Sequence, residues 1–243
     1  DFAIQNGATV ISMSWGTPEF PGETVYDSHF VAANVAFVAA AGNFGNPGFW
    51  PAASPYVTGV GGTKLQLNAK GDYITENAWK DGGGGLGTFE SEPLYQAQFN
   101  IPADPYGARG IPDVAYNADP NTGFAVYDSI PFAGSGWIQV GGTSAGAPQW
   151  AALIAIVNSI RASEGHGPLT GSNTFLYGAA NSASYALNYN DITSGNNTNG
   201  HCGPLCTAGR GYDYVTGLGS PRANNLINAL ATAPLSPGGD TSP

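Results

Sequence analysis

The chain has 243 residues, of which 42% are hydrophobic and 10% are charged, so it is long enough to bury the core of one domain. Acidic residues outnumber basic residues 17 to 7, and the net charge of −10 argues against nucleic acid or an anionic membrane surface as the partner. Few basic groups remain to repel one another when the carboxylates are neutralised, which favours a secreted protein that tolerates acid.

The first predicted elements form a strand, helix, strand unit. Residues 1–7 resemble the end of an amphipathic helix stopped by an Asn-Gly pair, so we expect the chain to begin in mid-fold. Residues 9–13 and 35–40 are apolar runs typical of buried strands, and residues 25–33 between them have helical spacing. This order predicts a parallel sheet, and such sheets place ligands at loops like 41–45, which follows the second strand.

The next strands are predicted as one short strand and two hairpins. The short strand covers residues 57–60, and the hairpins join residues 65–67 to 73–75 and 124–127 to 137–140. The second hairpin leads the chain into the Gly pair before a long apolar run.

A glycine-rich loop at residues 82–87 formally satisfies the pattern G-x-G-x-x-G. We reject a dinucleotide-binding loop, because no parallel strand leads into it and Pro93, rather than a long helix, follows.

Residues 141–150 read GGTSAGAPQW and run into an Ala- and Ile-rich segment. This pattern predicts a tight turn with Ser144 at or next to a helix N-terminus, where free N–H groups and the helix dipole favour negative charge. Ser144 is therefore a candidate nucleophile. The simpler alternative is that Thr143 and Ser144 merely cap the helix.

Further helices are predicted at residues 174–178 and 222–230. Residues 233–243 are rich in Pro, Ser and Gly and predict a flexible tail, so the folded domain is assigned to residues 1–232.

The nucleophile segment, read as GGTSAGAPxWAALIA, resembles that of the sedolisins, which are serine-carboxyl peptidases with a subtilisin-like fold. Other segments are similar to this family in the same order, namely residues 10–16 (VISMSWG), 51–55 (PAASP), 61–63 (GGT), 93–96 (PLYQ), 110–114 (GIPDV), 191–195 (DITSG) and 211–221 (GYDYVTGLGSP). The resemblance covers nearly the whole chain. It implies a three-layer α/β fold with a mainly parallel central sheet, and a secreted peptidase that cleaves peptide bonds at acidic pH through an acyl-enzyme on Ser144.

The resemblance also implies a substrate-binding strand and a calcium site. Ser14, Trp15 and Gly16 match the strand end that pairs with the substrate backbone, although an ordinary buried strand end fits the same residues. The implied Ca²⁺ ligands are two carboxylates and three main-chain carbonyls, from Asp191, Ile192, Gly209, Gly211 and Asp213. An all-oxygen set suits this hard cation, and an Asp- and Gly-rich turn is the simpler alternative.

Asn43 departs from the family, which carries an Asp at the matching position. The loop AAAGNFG resembles instead the subtilisin loop, whose Asn donates a hydrogen bond to the oxyanion. An Asn donates at any pH, whereas an Asp donates only while it is protonated. The alternative is that Asn43 only tolerates a left-handed turn.

No residue of the chain is a convincing base for Ser144. His29, His166 and His201 are expected to be surface or packing residues. Sedolisins use a Glu oriented by an Asp four residues later, and Glu23 and Asp27 have that spacing. They follow the Ser-Trp-Gly segment whereas the family's pair precedes it, so we predict that they are solvated helix carboxylates.

The acid pair is therefore expected in an N-terminal chain or segment that completes the domain. A pseudoenzyme without the pair, a subtilisin-type Ser-His-Asp peptidase, and a non-catalytic binding or structural module are the alternatives.

Cys202 and Cys206 enclose a turn-like Gly-Pro-Leu spacer, which predicts a local disulfide. A zinc site with His201 as third ligand is the alternative, but it lacks the paired ligand spacing of known zinc modules.

Overall fold

The computed structural model describes residues 1–102, 106–130, 136–169, 171–181, 183–198 and 202–234. Its strands are β1 (Val10–Met13), β2 (Thr17–Pro18), β3 (Ala36–Ala40), β4 (Phe49–Trp50), β5 (Thr58–Leu67), β6 (Tyr73–Ala78), β7 (Gly85–Ser91), β8 (Ala108–Ile111), β9 (Val114–Asn117), β10 (Phe124–Asp128), β11 (Gly136–Val140), β12 (Tyr189–Asn190) and β13 (Ser220–Pro221). Its α-helices are α1 (Phe2–Gln5), α2 (Leu94–Phe99), α3 (Thr143–Ser163), α4 (Ser172–Ala179), α5 (Tyr185–Asn188) and α6 (Ala223–Ala231). Three 3₁₀ helices cover Glu23–His29, Pro120–Thr122 and Gly203–Cys206.

The central sheet is parallel and has the strand order β1-β3-β5-β9. β5 is long enough to take three partners in succession: its first residues pair with β3, its middle with β9, and its last residues with β6 in an antiparallel hairpin. The predicted subtilisin-like α/β fold with a mainly parallel sheet is confirmed.

Every residue of β3 is apolar, and successive side chains point to opposite faces of the sheet, so both faces of the strand are buried. Val38 belongs to the larger core, together with Trp150 and Ile154 of helix α3. Phe37 points to the opposite core, where Phe30 packs on its ring edge-on. The sheet is therefore the middle layer, with α3 and α6 on one side and mostly 3₁₀ and loop structure on the other.

The helix predicted at residues 25–33 is wrong. A 3₁₀ helix at Glu23–His29 occupies this position, and Gly22 before it has a left-handed backbone with φ of 88°. The apolar residues that suggested a buried helix face are partly outside the core: Val25 is 69% exposed and Tyr26 is 45% exposed. The segment is instead anchored by the acidic side chain of Glu23, which is fully buried.

Most other predicted elements are present, with shifted boundaries. The strand predicted at 57–60 runs on as β5 through Leu67, both predicted hairpins form as β5–β6 and β10–β11, and α4 and α6 match the two later helices. β1 forms but is not fully buried, because no strand in the described ranges pairs with its outer edge. Residues 235–243 of the predicted tail lie outside the described residues.

Cys202 and Cys206 form the predicted disulfide, with their Cα atoms 5.7 Å apart. Both thiols are thereby removed as zinc ligands. His201 lies outside the described residues. None of the helices in the described ranges combines the length and the apolar character that crossing a bilayer needs.

Candidate active site

Ser144 is the second residue of helix α3, directly beyond the Gly141-Gly142 turn. Gly142 has φ of 101°, a conformation that favours glycine, and its N–H donates to the carbonyl of Ala118 at 2.6 Å. Neither Thr143 nor Ser144 caps the helix with its side chain. The simple capping alternative is therefore not what the structure contains.

The end of β1 lies against this serine. Met13 of β1 is in register with Ala39 of β3, so the chain leaves both strands at the same edge of the sheet. Ser14 Oγ donates to the carbonyl of Ser144 at 2.8 Å, and Ser144 Oγ lies 3.5 Å from the carbonyl oxygen of Ser14. Trp15, the next residue, is 54% exposed and contacts the ring of Trp50.

Asn43, in the loop after β3, reaches the same place. Its Oδ1 accepts the N–H of Thr143 at 2.8 Å and lies 2.9 Å from Thr143 Oγ1. Within the described part of the chain, its amide nitrogen donates to no acceptor. A Cβ built on Gly142 would lie 3.0 Å from that nitrogen, so glycine keeps the space beside it open.

The left-handed-turn alternative for Asn43 is wrong. In the described ranges, the non-glycine residues with positive φ are Asn34 and Asn100. The side-chain contacts with Thr143, rather than the backbone, are what place an asparagine here.

The glycine-rich loop at residues 82–87 holds the Asn43 loop in place. Gly83 N–H donates to the carbonyl of Gly42 at 2.8 Å. A Cβ on Gly83 would collide with the carbonyl oxygen of Ala41, so the two backbones can approach this closely only at glycine.

Comparisons with known proteins agree with this geometry. The sequence profile of the subtilase family matches residues 1–174. Kumamolisin from Bacillus sp. (strain MN-32) is 36% identical, over 91% of this chain and 42% of that protein, and physarolisin from Physarum polycephalum is 31% identical, over 95% of this chain and 51% of that protein. Sedolisin from Pseudomonas, a serine-carboxyl proteinase solved with two molecules of pseudo-iodotyrostatin, superposes with a TM-score of 0.78 at 30% identity, over 93% of this chain and 66% of that one.

The chain belongs to the subtilase family and, within it, to the sedolisins. The sedolisins are a family of serine peptidases. The chain spans only about half, or less, of the length of the two curated relatives named above. Sphericase, at 22% identity and a TM-score of 0.55, shares the fold alone.

In this sedolisin chain, no carboxylate or imidazole of the described residues hydrogen-bonds to Ser144. His29 pairs instead with Asp1 at 3.0 Å and stacks on Tyr26. His166 is exposed after the end of α3.

Glu23 and Asp27, the pair with sedolisin-like spacing, are not the solvated carboxylates that the sequence predicts. Glu23 Oε2 accepts the N–H of Phe20 at 2.7 Å, and burial raises the pKa of Glu23 to about 7. Asp27 Oδ1 accepts the hydroxyl of Ser54 at 2.7 Å, and burial also raises the pKa of Asp27. The prediction fails because long-range contacts, which a local pattern cannot show, cover both side chains.

The residues matched to the sedolisin calcium site lie in two facing loops. Asp191 Oδ1 accepts the N–H of Gly211 at 3.0 Å, and Asp213 Oδ2 accepts the N–H of Gly209 at 3.0 Å. The carbonyls of Ile192 and Gly209 accept no hydrogen bond from groups in the described ranges.

The electrostatics of these loops also suit a cation. Burial raises the pKa of Asp213 to about 6, although the N–H groups of Gly209, Thr216 and Val215 favour its ionised form. Carboxylate and main-chain carbonyl oxygens are the donor types that Ca²⁺ takes, and the carbonyl of Gly211 accepts the hydroxyl of Tyr185 at 3.3 Å. The described residues contain no group of three acidic, His or Cys side chains that could hold a metal ion. Binding of Ca²⁺ here would therefore depend on main-chain oxygens.

Proposed function

We propose that this chain carries the nucleophile of a secreted serine-carboxyl peptidase that hydrolyses peptide bonds at acidic pH. The observation that supports this most is the meeting of three segments at Thr143 and Ser144: the start of α3, the end of β1 and the loop that holds Asn43. An isolated helix cap would need neither of the other two.

In the proposed reaction, Ser144 Oγ attacks the carbonyl carbon of the scissile bond and loses its proton to a base. The tetrahedral intermediate then releases the amine, which takes up a proton, and water hydrolyses the resulting ester on Ser144. The amide N–H₂ of Asn43 and the N–H of Ser144 at the start of α3 stabilise the negative oxygen of each tetrahedral intermediate. Because Asn43 Oδ1 is fixed by Thr143, the donor is oriented before the reaction begins.

The base is proposed to be a Glu and Asp pair in an N-terminal segment or chain that completes the domain. This rests on the absence of a base beside Ser144 in the described ranges, and on the unpaired outer edge of β1 in the same ranges. Ser14, Trp15 and Gly16 would pair with the backbone of a peptide or protein substrate.

We call the space beside Ser144, between the end of β1 and the Asn43 loop, the cleft, and aromatic side chains lie along it. A Cβ on Gly16 would lie 3.3 Å from the Cβ of Phe49, and a Cβ on Gly42 would lie 3.2 Å from the ring of Phe49. Phe49 thus lies between the two segments that flank Ser144, and it stacks on the exposed ring of Phe44. We expect the cleft to favour apolar side chains.

A bound Ca²⁺ would be held by the carboxylates of Asp191 and Asp213 and the carbonyls of Ile192, Gly209 and Gly211. The ion would supply stability to the two loops rather than chemistry at Ser144. Extracellular localisation is supported by the disulfide, which persists in oxidising compartments.

The experiment is a comparison of Ser144→Ala with Ser163→Ala in the full-length protein. Ser163 is exposed at the other end of the same helix, so it controls for loss of a hydroxyl from α3. We expect Ser144→Ala to abolish hydrolysis of a protein substrate at acidic pH with an unchanged Tm, and Ser163→Ala to retain it. Activity of Ser144→Ala equal to that of Ser163→Ala would refute Ser144 as the nucleophile, and a wild type that hydrolyses no protein substrate would favour the non-catalytic module.

A further inference from the structure

Four carboxyl groups from three segments meet on the face of the molecule away from α3. Glu19 follows β2, Glu23 and Asp27 lie on the 3₁₀ helix Glu23–His29, and Glu90 lies on β7. Each of Glu19, Glu23 and Asp27 acts electrostatically on Glu90, so the four groups form one cluster. We call it the acid cluster.

Two members of the acid cluster, Glu23 and Glu90, are buried, and Glu19 and Asp27 are half-buried. Glu23 is 0% exposed and Glu90 is 5% exposed. Some of its oxygens have conventional donors: Glu19 Oε1 accepts the N–H of Thr88 at 2.9 Å, and Glu23 Oε2 accepts the N–H of Phe20 at 2.7 Å. Three others, Glu19 Oε2, Glu23 Oε1 and Glu90 Oε1, are buried and receive no N–H or hydroxyl donor from the described residues. Buried carboxylate oxygens without a donor are strongly destabilising.

The carboxyl groups also pair with one another. Glu19 hydrogen-bonds to Glu23, and Asp27 hydrogen-bonds to Glu90. A carboxyl group can donate only while it is protonated, so each pair needs at least one proton.

The nearby basic group does not replace these protons. Arg109 on β8 lowers the pKa of Glu90, but its guanidinium is itself buried and donates to Asp113 and to the carbonyl of Gly110, both at 2.5 Å. The described residues also form no group of three acidic, His or Cys side chains arranged to hold a metal ion. A proton held within each pair would satisfy its oxygens without a further charged group.

We propose that the acid cluster is a proton-dependent latch, which fastens residues 17–29 to β7 while each carboxyl pair holds a proton and releases them when the pairs ionise. The test of the latch does not use peptidase activity, so the latch can fail without affecting the proposed function.

The pKa values give the pH range of the latch. Burial raises the pKa of Glu23 from 4.5 to about 7 and that of Glu90 from 4.5 to about 8, and it raises the pKa of Asp27 as well. The folded state therefore holds protons that the unfolded state has lost, and the stabilisation is complete below about pH 4.5. It falls progressively as pH rises to between 7 and 8.

Release of residues 17–29 would affect the active site, because these residues are joined along the backbone to the segment beside Ser144. Residues 17–29 begin one residue after Gly16, at the end of the segment that lies beside Ser144. β7 also continues the Gly83 loop that contacts the Asn43 loop. The acid cluster thus joins the far ends of two segments that leave the cleft.

The test is thermal unfolding of the full-length protein between pH 4.5 and 8, at one fixed Ca²⁺ concentration. The variant is the double substitution Glu23→Gln and Glu90→Gln, because a Gln amide donates as a protonated Glu does but cannot ionise. The control is Glu164→Gln, which removes a charge at an exposed position after α3. We expect the Tm of the wild type and the control to fall on the order of 5–10 °C more than that of the double variant.

A second readout locates the effect. Hydrogen exchange in residues 17–29, corrected for intrinsic rates, should rise at pH 8 in the wild type and not in the double variant. Equal slopes of Tm against pH in the double variant and the control would overturn the proposal. The proposal would also be overturned if Mg²⁺ raised the Tm of the wild type at pH 8 but not that of the double variant, because a cation would then occupy the acid cluster.

If the double variant does not fold, the protons released when the protein unfolds provide the test of the latch. Unfolding at pH 6 should release more protons from the wild type than from the single variant Glu23→Gln, and equal release from the two proteins would refute the latch.

Discussion

Substitutions of Asn43 can separate a catalytic role from a structural one, because the oxygen and the nitrogen of its side-chain amide have different partners. Its oxygen accepts the N–H of Thr143 at the start of α3, and its nitrogen is available to substrate. Asn43→Ala removes both functions. Asn43→Asp keeps an acceptor for Thr143 but donates only while protonated.

The expected magnitudes differ for the two ends. Removing one oxyanion donor in subtilisin reduces transition-state stabilisation by about 2.7–4 kcal/mol, which corresponds to roughly a 10²–10³-fold loss of kcat. Removing the acceptor at the start of a helix lowers the free energy of unfolding by about 1 kcal/mol. Asn43→Ala should therefore show both losses, with little change in KM.

Asn43→Asp should keep the stability and change the pH profile. A carboxylate that accepts the Thr143 N–H at a helix N-terminus has its pKa lowered below its usual value of about 3.9. Relative activity should consequently fall as pH rises through that pKa, since the ionised group repels the developing oxyanion.

The assay is kcat and KM of the full-length enzyme against pH, with Tm measured on the same samples. An Asn43→Asp enzyme with an unshifted pH profile would refute donation by Asn43. A kcat of Asn43→Ala within about tenfold of the wild-type value would do the same.

Two further predictions concern the loops around the site. Chelation of Ca²⁺ should lower the Tm of the full-length protein and leave that of Asp213→Asn unchanged, because a ligand held 100-fold above its Kd adds about 2.7 kcal/mol to the native state alone; an equal fall in both proteins would contradict the site. Gly83→Ala should lower kcat at temperatures well below its Tm, since its Cβ would displace the carbonyl of Ala41 beside the Asn43 loop. The control Gly178→Ala, whose Cβ meets no atom within 4 Å, should leave kcat unchanged in the same assay.

The sequence predicts those parts of the fold that local patterns determine. The apolar runs at β1 and β3, the two hairpins and the serine at the start of α3 are confirmed because each is specified by neighbouring residues. The joint position of Ser14 and Asn43 also follows, since parallel strands end at one edge of a sheet.

The acid cluster could not be predicted in this way. Glu23 and Asp27 have the spacing of exposed helix residues, but Glu90, which hydrogen-bonds to Asp27, lies 63 residues further along the chain. Their burial depends on tertiary contacts that override local preference. The same reason explains the failed helix at residues 25–33, whose position is fixed by a buried acidic side chain rather than by an apolar face.

The three successive partners of β5 have a consequence for how the molecule folds. β3 precedes β5 by fewer than twenty residues and β6 follows it directly, but β9 begins at Val114, after the β7–β8 excursion. The first two pairings can form early from local chain closure, whereas the β9 pairing must close a long loop and should come later. Helix α3, which contacts β1, β3, β5 and β9, can settle only when all four strands are in place. The serine at its tip is therefore positioned among the last events of folding, so a partly folded chain would have no assembled active site.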